Sequence, residues 1–183
     1  QQPQDLSGFI YVPSIGLYVA EQRIHQGSTW DKAHEELQKE GLQMLTLPQF
    51  TEFLKYVKIN NPNIYEDITA VRNPLRAELL DAYFEERQDG LYILTNNKRN
   101  AEKLEDCLMQ DKTPGIDLEA WLNNPTPHGL PPADISNGNL WYWYPRNGSV
   151  ARFYAYSAWA VLSCYWDPGD SYPALGVRGA RKK

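Results

Sequence analysis

Apolar residues recur with helical spacing in two stretches near the start of the chain. Ser28 with Asp31 forms a capping-box pattern that predicts the start of a helix, and Gly41 is placed to end it. Thr46 with Gln49 forms a second capping box, and a second apolar stripe follows it. The residues expected on the buried sides of the two helices are Trp30, Ala33, His34, Leu37, Phe50, Phe53, Leu54 and Val57.

The middle of the chain carries shorter patterns. An Asn-Pro pair at 73–74 predicts the start of a third helix that reaches about Arg87. Its apolar positions recur every four residues, at Leu75, Leu79 and Tyr83. The remaining elements expected before residue 130 are strands at 9–13, 16–20 and 91–95 and short helices at 100–110 and 116–122.

The C-terminal part has the pattern of a β-sheet. Residues 140–144 and 149–156 are predicted to form a hairpin that turns at 145–148, and residues 160–166 predict a further strand. Helices followed by a mostly antiparallel C-terminal sheet predict an α+β fold. The whole chain, residues 1–183, is expected to form one domain, with residues 73–122 as a helical insertion.

The two-residue period of a strand sorts these C-terminal strands into two faces. The expected core face holds Ala151, Phe153, Ala155, Ala160, Leu162, Cys164 and Trp166. The expected display face holds Val150, Arg152, Tyr154, Tyr156, Val161, Ser163 and Tyr165.

Composition singles out the same region. The 32 residues from Trp141 to Tyr172 hold eleven of the chain's 23 aromatic residues, together with many small polar ones. Rigid Tyr and Trp combined with Ser, Gly, Asp and Asn are typical of antibody-like binding surfaces. The segment therefore favours binding over catalysis.

The same segment contains no Lys, Glu, Gln or Met, although these four types account for 31 of the first 140 residues. One explanation is β-propensity, because strands disfavour Glu and Lys. The other is genetic: an AAC or AAT codon randomised at its adenines yields Tyr, Ser, Asp, Asn, Ala, Gly, Val and Arg, but never Lys, Glu, Gln, Met or Trp.

Three stretches carry a family resemblance: Ser149 to Ser157, Ala160 to Tyr165, and Leu175 to Arg178, with Pro168 and Ser171 between them. Over 140–181 the chain resembles the variable region of diversity-generating retroelement target proteins. That family is similar to the C-type lectin and formylglycine-generating-enzyme folds. The resemblance implies a C-type lectin-like α+β fold and a hypervariable ligand-binding surface within residues 139–181.

The resemblance also divides fixed from varied positions. The adenine-derived, ligand-binding positions that it implies are Tyr154, Tyr156, Ala158, Val161, Ser163, Tyr165, Asp167, Gly169, Asp170 and Tyr172. The framework positions are Val150, Ala151, Phe153, Ala155, Leu162, Cys164, Pro168, Leu175, Gly176 and Val177. Trp159 and Trp166 cannot arise from such codons, so they are assigned to the framework.

Charge and chemistry exclude several other functions. A net charge of −5 argues against a nucleic-acid partner, and the basic residues from Arg178 to Lys183 are interpreted as a solvated tail. No stretch approaches the length of a membrane span. His25, His34 and His128 lack metal-ligand spacing, and calcium-lectin tripeptides are absent, so no metal or other cofactor is expected.

No catalytic residue is predicted. The chain lacks a Gly-x-Ser-x-Gly elbow, and Cys107 and Cys164 are expected to be separate buried thiols, with a disulfide between them as the alternative. The expected function is therefore a receptor-like module for a macromolecular ligand, a protein or cell-surface structure, carried by a monomer or small oligomer. Cell-surface, secreted and virion-associated locations are all compatible. The alternatives are a calcium-independent lectin and an inactive formylglycine-generating-enzyme-like domain.

Overall fold

Two β-sheets and four short helices make up the part of the chain that the computed structural model describes, residues 5–104 and 106–183. The helices are α1 (Trp30–Lys39), α2 (Leu47–Asn60), α3 (Pro62–Thr69) and α4 (Leu118–Asn123). The strands are β1 (Phe9–Val12), β2 (Leu17–Ala20), β3 (Gln43–Met44), β4 (Arg76–Arg87), β5 (Gly90–Thr95), β6 (Asn100–Lys103), β7 (Lys112–Ile116), β8 (Leu140–Trp143), β9 (Val150–Ala155), β10 (Ala160–Trp166), β11 (Leu175–Val177) and β12 (Gly179–Lys182).

The strands join in an order that differs from their order along the chain. The four-stranded sheet runs β1-β2-β12-β3 and is antiparallel. The eight-stranded sheet runs β6-β5-β4-β9-β10-β8-β7, and β11 pairs in parallel with β4. Strand β10 lies between β9, to which it is antiparallel, and β8, to which it is parallel.

One face of the eight-stranded sheet, here called the inner face, packs on α2 and α4. Phe153 of β9 contacts Phe50 of α2 at a centroid distance of 5.5 Å and Trp121 of α4 at 6.2 Å. Leu162 and Cys164 of β10 lie in the same buried cluster. Most of the apolar residues that drive folding are therefore on this side.

The opposite, outer face is covered only in part by α1. Trp30 and Leu37 of α1 lie with Leu79 of β4 and Val150 of β9 in a second, smaller buried cluster. Tyr154, Trp166 and Tyr172 pack against this cluster but stay partly exposed. The second cluster is thus bordered by aromatic rings that are only partly buried.

A buried ion network joins the two sheets. Arg178, between β11 and β12, donates to both carboxylate oxygens of Glu78 at 3.1 Å and to the carbonyls of Ala20 and Glu21. Arg76 lies 2.6 Å from the same carboxylate. Burial alone would raise the pKa of Glu78, but the two guanidinium groups outweigh it and lower the pKa to about 2. Arg178 is therefore a buried structural residue, and its assignment to a solvated tail is wrong.

Several local predictions are confirmed. Thr46 and Gln49 form the expected reciprocal capping box at the start of α2. Gly41 follows the end of α1 and has a φ of +71°, a left-handed conformation that glycine adopts without a steric penalty. The first helix begins one residue later than predicted, because Thr29 rather than Ser28 caps it by accepting from the Lys32 amide.

The predicted fold class, with N-terminal helices packed on a C-terminal antiparallel sheet and a helical insertion, is wrong. The described structure is mostly sheet, with 35% strand and 21% helix. The segment expected to be the third helix is the long strand β4, and the segment 100–110 contains β6 instead of a helix, with Glu105 outside the described residues.

The misleading signal in β4 has a physical cause. Leu75, Leu79 and Tyr83 have helical spacing, yet β4 is buried on both faces. Alternation continues along the strand, with Ala77, Leu79 and Tyr83 on the outer face and Leu80, Ala82 and Phe84 on the inner face. Because both faces are buried, apolar residues occupy both sets of alternate positions, and this hides the two-residue period.

The predicted hairpin between 140–144 and 149–156 is also wrong. Both segments are strands, β8 and β9, but they do not pair with each other, because β10 lies between them. The hairpin forms one strand later, between β9 and β10 through residues 156–159, and β8 pairs in parallel with β10.

Candidate functional site

The register of β8, β9 and β10 brings large side chains into rows on the outer face. In one row Val161 lies between Tyr154 of β9 and Trp141 of β8. In the next, Ser163 lies between Arg152 and Trp143. Two small residues on the central strand are thus flanked on both sides by aromatic or guanidinium groups.

Eight of the ten predicted ligand-binding residues reach the surface. Tyr154, Tyr156 and Tyr172 are half-buried, whereas Ala158, Tyr165, Asp167, Gly169 and Asp170 are exposed. Val161 and Ser163 lie on the predicted side of β10 but are buried, at 0% and 4% exposure. Their larger neighbours in the rows cover them, so they support the surface without being displayed on it.

A continuous set of touching rings and one guanidinium runs across the outer face. Its members, here called the aromatic cluster, are Trp141, Trp159, Tyr156, Tyr154, Arg152, Trp166 and Tyr172. At one end Trp141 stacks on Trp159 at 3.8 Å, and at the other Trp166 meets Tyr172 edge-on at 5.6 Å. Such contacts stabilise the rings relative to one another and hold the surface in one shape.

Arg152 forms the middle of the aromatic cluster. Its guanidinium carbon lies 3.8 Å from the centroid of the Trp166 ring and 4.2 Å from that of Tyr154. Its Nη1 donates to the hydroxyl oxygen of Tyr172 at 2.6 Å, which leaves the hydroxyl hydrogen of Tyr172 free to donate. Burial lowers the pKa of Arg152 from its ordinary value of 12.5 and raises the pKa of Tyr154 and Tyr172 above their ordinary value of 10. Arginine side chains stay protonated in proteins at neutral pH, so the guanidinium carries the positive charge of the cluster.

Tyr172 belongs to a connection that the fold ties down at both ends. The carbonyl of Pro168 accepts from the Trp30 amide at 3.1 Å, and that of Ala174 accepts from the Ala77 amide at 3.1 Å. The exposed residues Asp167, Gly169 and Asp170 therefore sit on a loop with fixed ends.

Four members of the aromatic cluster were not among the predicted site residues: Trp141, Arg152, Trp159 and Trp166. Strand alternation had already placed Arg152 on the display side, so that signal was available. The alternation placed Trp166 in the core, which is wrong. A bulge between Ser163 and Trp166 pairs Trp166 with Val150 on the outer face, and a bulge is not visible in the residue pattern.

Tyr165 belongs to a separate contact. Its exposed ring and that of Tyr144 hold the guanidinium of Arg146 between them, at 4.2 and 3.9 Å. Arg146 in turn donates to Asp111 at 2.7 Å. This second arginine, unlike Arg152, has a carboxylate partner.

Three indole nitrogens on the outer face lack hydrogen-bond partners among the described residues. These are the Nε1 atoms of Trp141, Trp143 and Trp166, and the Nε of Arg152 joins them. In contrast, the core indoles of Trp30 and Trp121 donate to the carbonyls of Leu80 and Gly129, both at 2.9 Å. Buried donors are normally satisfied. The indole donors without a partner in the described chain lie together on the outer face, and in this the outer face differs from the core.

A cleft of about 550 Å³ adjoins the Trp159 end of the aromatic cluster. Apolar side chains form much of its lining, among them Val71 and Trp159, and Asp117 and Glu119 contribute the charged groups. Glu119 is paired with Lys58, and Asp117 caps α4 through the Ala120 amide. Clefts of this size accept a side chain or short segment of a ligand.

The other candidate chemical groups are dispersed. Cys107 and Cys164 are both buried and unbridged, as predicted, and burial raises the pKa of each thiol. His25, His34 and His128 pair separately with Glu40, Asp81 and Glu102. Within the described residues no group of three His, Cys, Asp or Glu side chains is placed to hold a metal ion.

Comparisons of the chain with protein-family models, curated proteins and solved structures found no match. None of the described helices is long and apolar enough to cross a membrane.

Proposed function

We propose that this chain is a variable ligand-binding protein of the kind that diversity-generating retroelements diversify. In this proposal the aromatic cluster and the exposed positions beside it bind a macromolecular ligand, a protein or cell-surface structure. The rest of the molecule serves as a fixed scaffold. The function is recognition, with no chemical step.

The observation that carries the proposal is the separation of two residue sets named from the sequence. Nine of the twelve framework positions are buried; Pro168 and Trp166 are half-buried, and Trp159 is exposed. Eight of the ten positions assigned to adenine-containing codons are exposed or half-buried, and Val161 and Ser163 are buried. A set of varied positions that falls mainly on the surface is what selection for a changing ligand on a constant scaffold would produce.

The side chains present are suited to recognition. Tyr and Trp contribute a large contact area at low conformational entropy, and Ser, Asp and Gly adapt hydrogen bonding and shape around them. An aromatic that enters a partner's pocket can contribute about 2 kcal/mol or more to binding. Because the rings of the aromatic cluster already touch one another, less side-chain freedom is lost when a ligand binds.

Population sequencing of the gene tests the proposal directly. We expect a nearby near-copy of the segment that encodes residues 140–181, differing from the gene mainly where the copy has adenine. Across individuals, the codons for Tyr154, Tyr165 and Tyr172 should vary, whereas those for Phe153, Leu162 and the residues of α2 should not. The α2 codons are the internal control, because the proposal gives them no template.

The opposite result would remove the proposal. If no such copy exists and the codons of the exposed positions are as constant as those of α2, the aromatic cluster belongs to a protein with a single fixed partner or to a purely structural surface.

A further inference from the structure

Arg152 is held in place before any ligand arrives. The Trp166 and Tyr154 rings flank its guanidinium, and the Tyr172 hydroxyl fixes one of its nitrogens. With both rings this close, the Arg152 side chain is half-buried. A charge in such a setting interacts more strongly with an opposite charge than a solvated arginine does.

The charge of Arg152 has no carboxylate partner within 4.0 Å among the described residues. Arg76, Arg146 and Arg178 each have one, at 2.6 to 3.1 Å. Only Nη1 of Arg152 donates a hydrogen bond within the described chain, and its Nε is buried without an acceptor. A partly desolvated charge with unused donors is costly to a fold, and a ligand that supplies the missing acceptor removes that cost.

The charges that act on Tyr172 are positive. Burial raises the pKa of Tyr172, and the guanidinium groups of Arg152 and, to a smaller extent, Arg23 oppose that rise. Arg23 is itself held by the carbonyls of Ala77 and Ala174, at 2.6 and 2.8 Å. Asp167 and Asp170 are exposed on the adjoining loop, and neither is within 4.0 Å of Arg152.

The molecule contains a completed version of the same arrangement. Arg146 is also flanked by two aromatic rings, those of Tyr144 and Tyr165, at nearly the same distances. There the Asp111 carboxylate occupies the free edge of the guanidinium, at 2.7 Å from Nη2. In this chain, therefore, an arginine between two rings is completed by an aspartate side chain.

We propose that Arg152 is a preformed receptor for a single carboxylate side chain, Asp or Glu, of a protein ligand, with the Tyr172 hydroxyl as a second donor to it. The inference rests on the proposed function, because it names the chemistry that the aromatic cluster recognises. A planar carboxylate matches the edge of the guanidinium. A single carboxylate also adds less repulsion than a phosphate dianion would, in a chain with a net charge of −5.

The test uses a small molecule that carries a single glutamate side chain. The probe is N-acetyl-glutamate amide, titrated into the full ¹⁵N-labelled chain, with N-acetyl-glutamine amide at matched ionic strength as the uncharged control. NMR cross-peaks of Arg152 Nε–H and Trp166 Nε1–H report on the site. We expect saturable shifts of both peaks with the glutamate probe and none with the glutamine probe.

Matched variants separate the site from general charge effects. Arg152→Gln should weaken binding about tenfold or more, as expected for loss of a charge-assisted pair in a partly desolvated site. Arg146→Gln removes the other ring-flanked arginine and should leave binding unchanged. Tyr172→Phe keeps the ring and removes the hydroxyl, so it should weaken binding by a smaller factor and provides a second test if Arg152→Gln does not fold.

Three results would each overturn the inference: equal shifts with the two probes, unchanged binding in Arg152→Gln, or tighter binding of inorganic phosphate than of the glutamate probe. Failure of the proposed function gives a different pattern. Glutamate binding without an adenine-directed template would retain the carboxylate site and reject the retroelement. A template without glutamate binding would retain the retroelement and reject the carboxylate site.

Discussion

Both faces of the β8–β9–β10 strands contact aromatic rings, but they differ in how the polar groups of those rings are satisfied. On the inner face, buried Tyr142 donates its hydroxyl hydrogen to the Leu108 carbonyl at 2.9 Å, and Trp121, which stacks on Phe153, has its own N–H bonded. On the outer face, the indoles of Trp141, Trp143 and Trp166 have no acceptor within the described chain.

The same contrast holds for charge. Glu78 faces the inner side, is fully buried, and is paired with two arginines. Arg152 on the outer side is paired with none of the described carboxylates. Aromatic content alone therefore does not distinguish a core from a binding surface. The two faces differ in whether the fold supplies acceptors for their indole N–H groups.

The largest effect is expected when the paired charge on the inner side is broken. Glu78→Gln leaves Arg178 buried without a counter-ion and Arg76 with only the half-exposed Asp67, and it should lower the free energy of unfolding by about 3–5 kcal/mol. Equilibrium denaturation at pH 7 measures it. A loss below about 1 kcal/mol would mean that water or other groups replace the carboxylate.

The ion pairs of Glu78 also predict that the free energy of unfolding depends on pH. The pKa of Glu78 falls from an ordinary value of 4.5 to about 2 in the folded chain. Because the folded-state pKa is the lower one, the stabilisation is complete above about pH 4.5 and is lost as the pH falls towards 2. Unfolding free energies across this interval should slope less in Glu78→Gln than in the unaltered chain.

Removing an aromatic ring should also lower the stability by different amounts on the two faces. Phe153→Ala opens a cavity between α2 and α4 and is expected to cost about 3–5 kcal/mol of stability. The matched outer-face variant, Tyr156→Ala, leaves a half-exposed site that solvent can fill and should cost clearly less. Similar losses for the two variants would show that the outer rings are part of the core.

Arg152→Gln should change stability little, by about 1 kcal/mol or less in either direction. The lost cation–π contacts destabilise the variant, while removal of an unpaired, partly desolvated charge stabilises it. Thermal unfolding of this variant beside Glu78→Gln compares an unpaired with a paired arginine system. A loss comparable to that of Glu78→Gln would indicate an acidic partner for Arg152 within the chain.

The smallest effects are expected at exposed positions of two connections, the one between β9 and β10 and the one after β10. Asp167→Ser, Asp170→Asn and Ala158→Ser should each change the free energy of unfolding by about 0.5 kcal/mol or less, since their side chains are exposed. Denaturant midpoints of the single and combined variants measure this. The combined change should be close to the sum, and a large excess would mean that these positions are part of the scaffold.

Local signals in the sequence predicted local structure well. The Thr46–Gln49 box, the end of α1 at Gly41 and the existence of β1, β2, β5, β9 and β10 depend on neighbouring residues, and each was predictable from capping chemistry or strand alternation. The division of β9 into two faces also followed, because alternation along a regular strand needs no knowledge of its partners. Val150, expected on the display face, is nevertheless buried in the cluster that contains Trp30.

What the sequence determined by itself is thus the set of short elements, the core side of regular strands, and the concentration of aromatic residues into one segment. Only the tertiary structure decided that β10 lies between β8 and β9, that a bulge brings Trp166 outward, that β4 is a strand buried on both faces, and that Arg178 is buried against Glu78. The reason is that pairing order, bulges and ion pairs depend on contacts between residues far apart in the chain, for which neighbouring residues carry no signal.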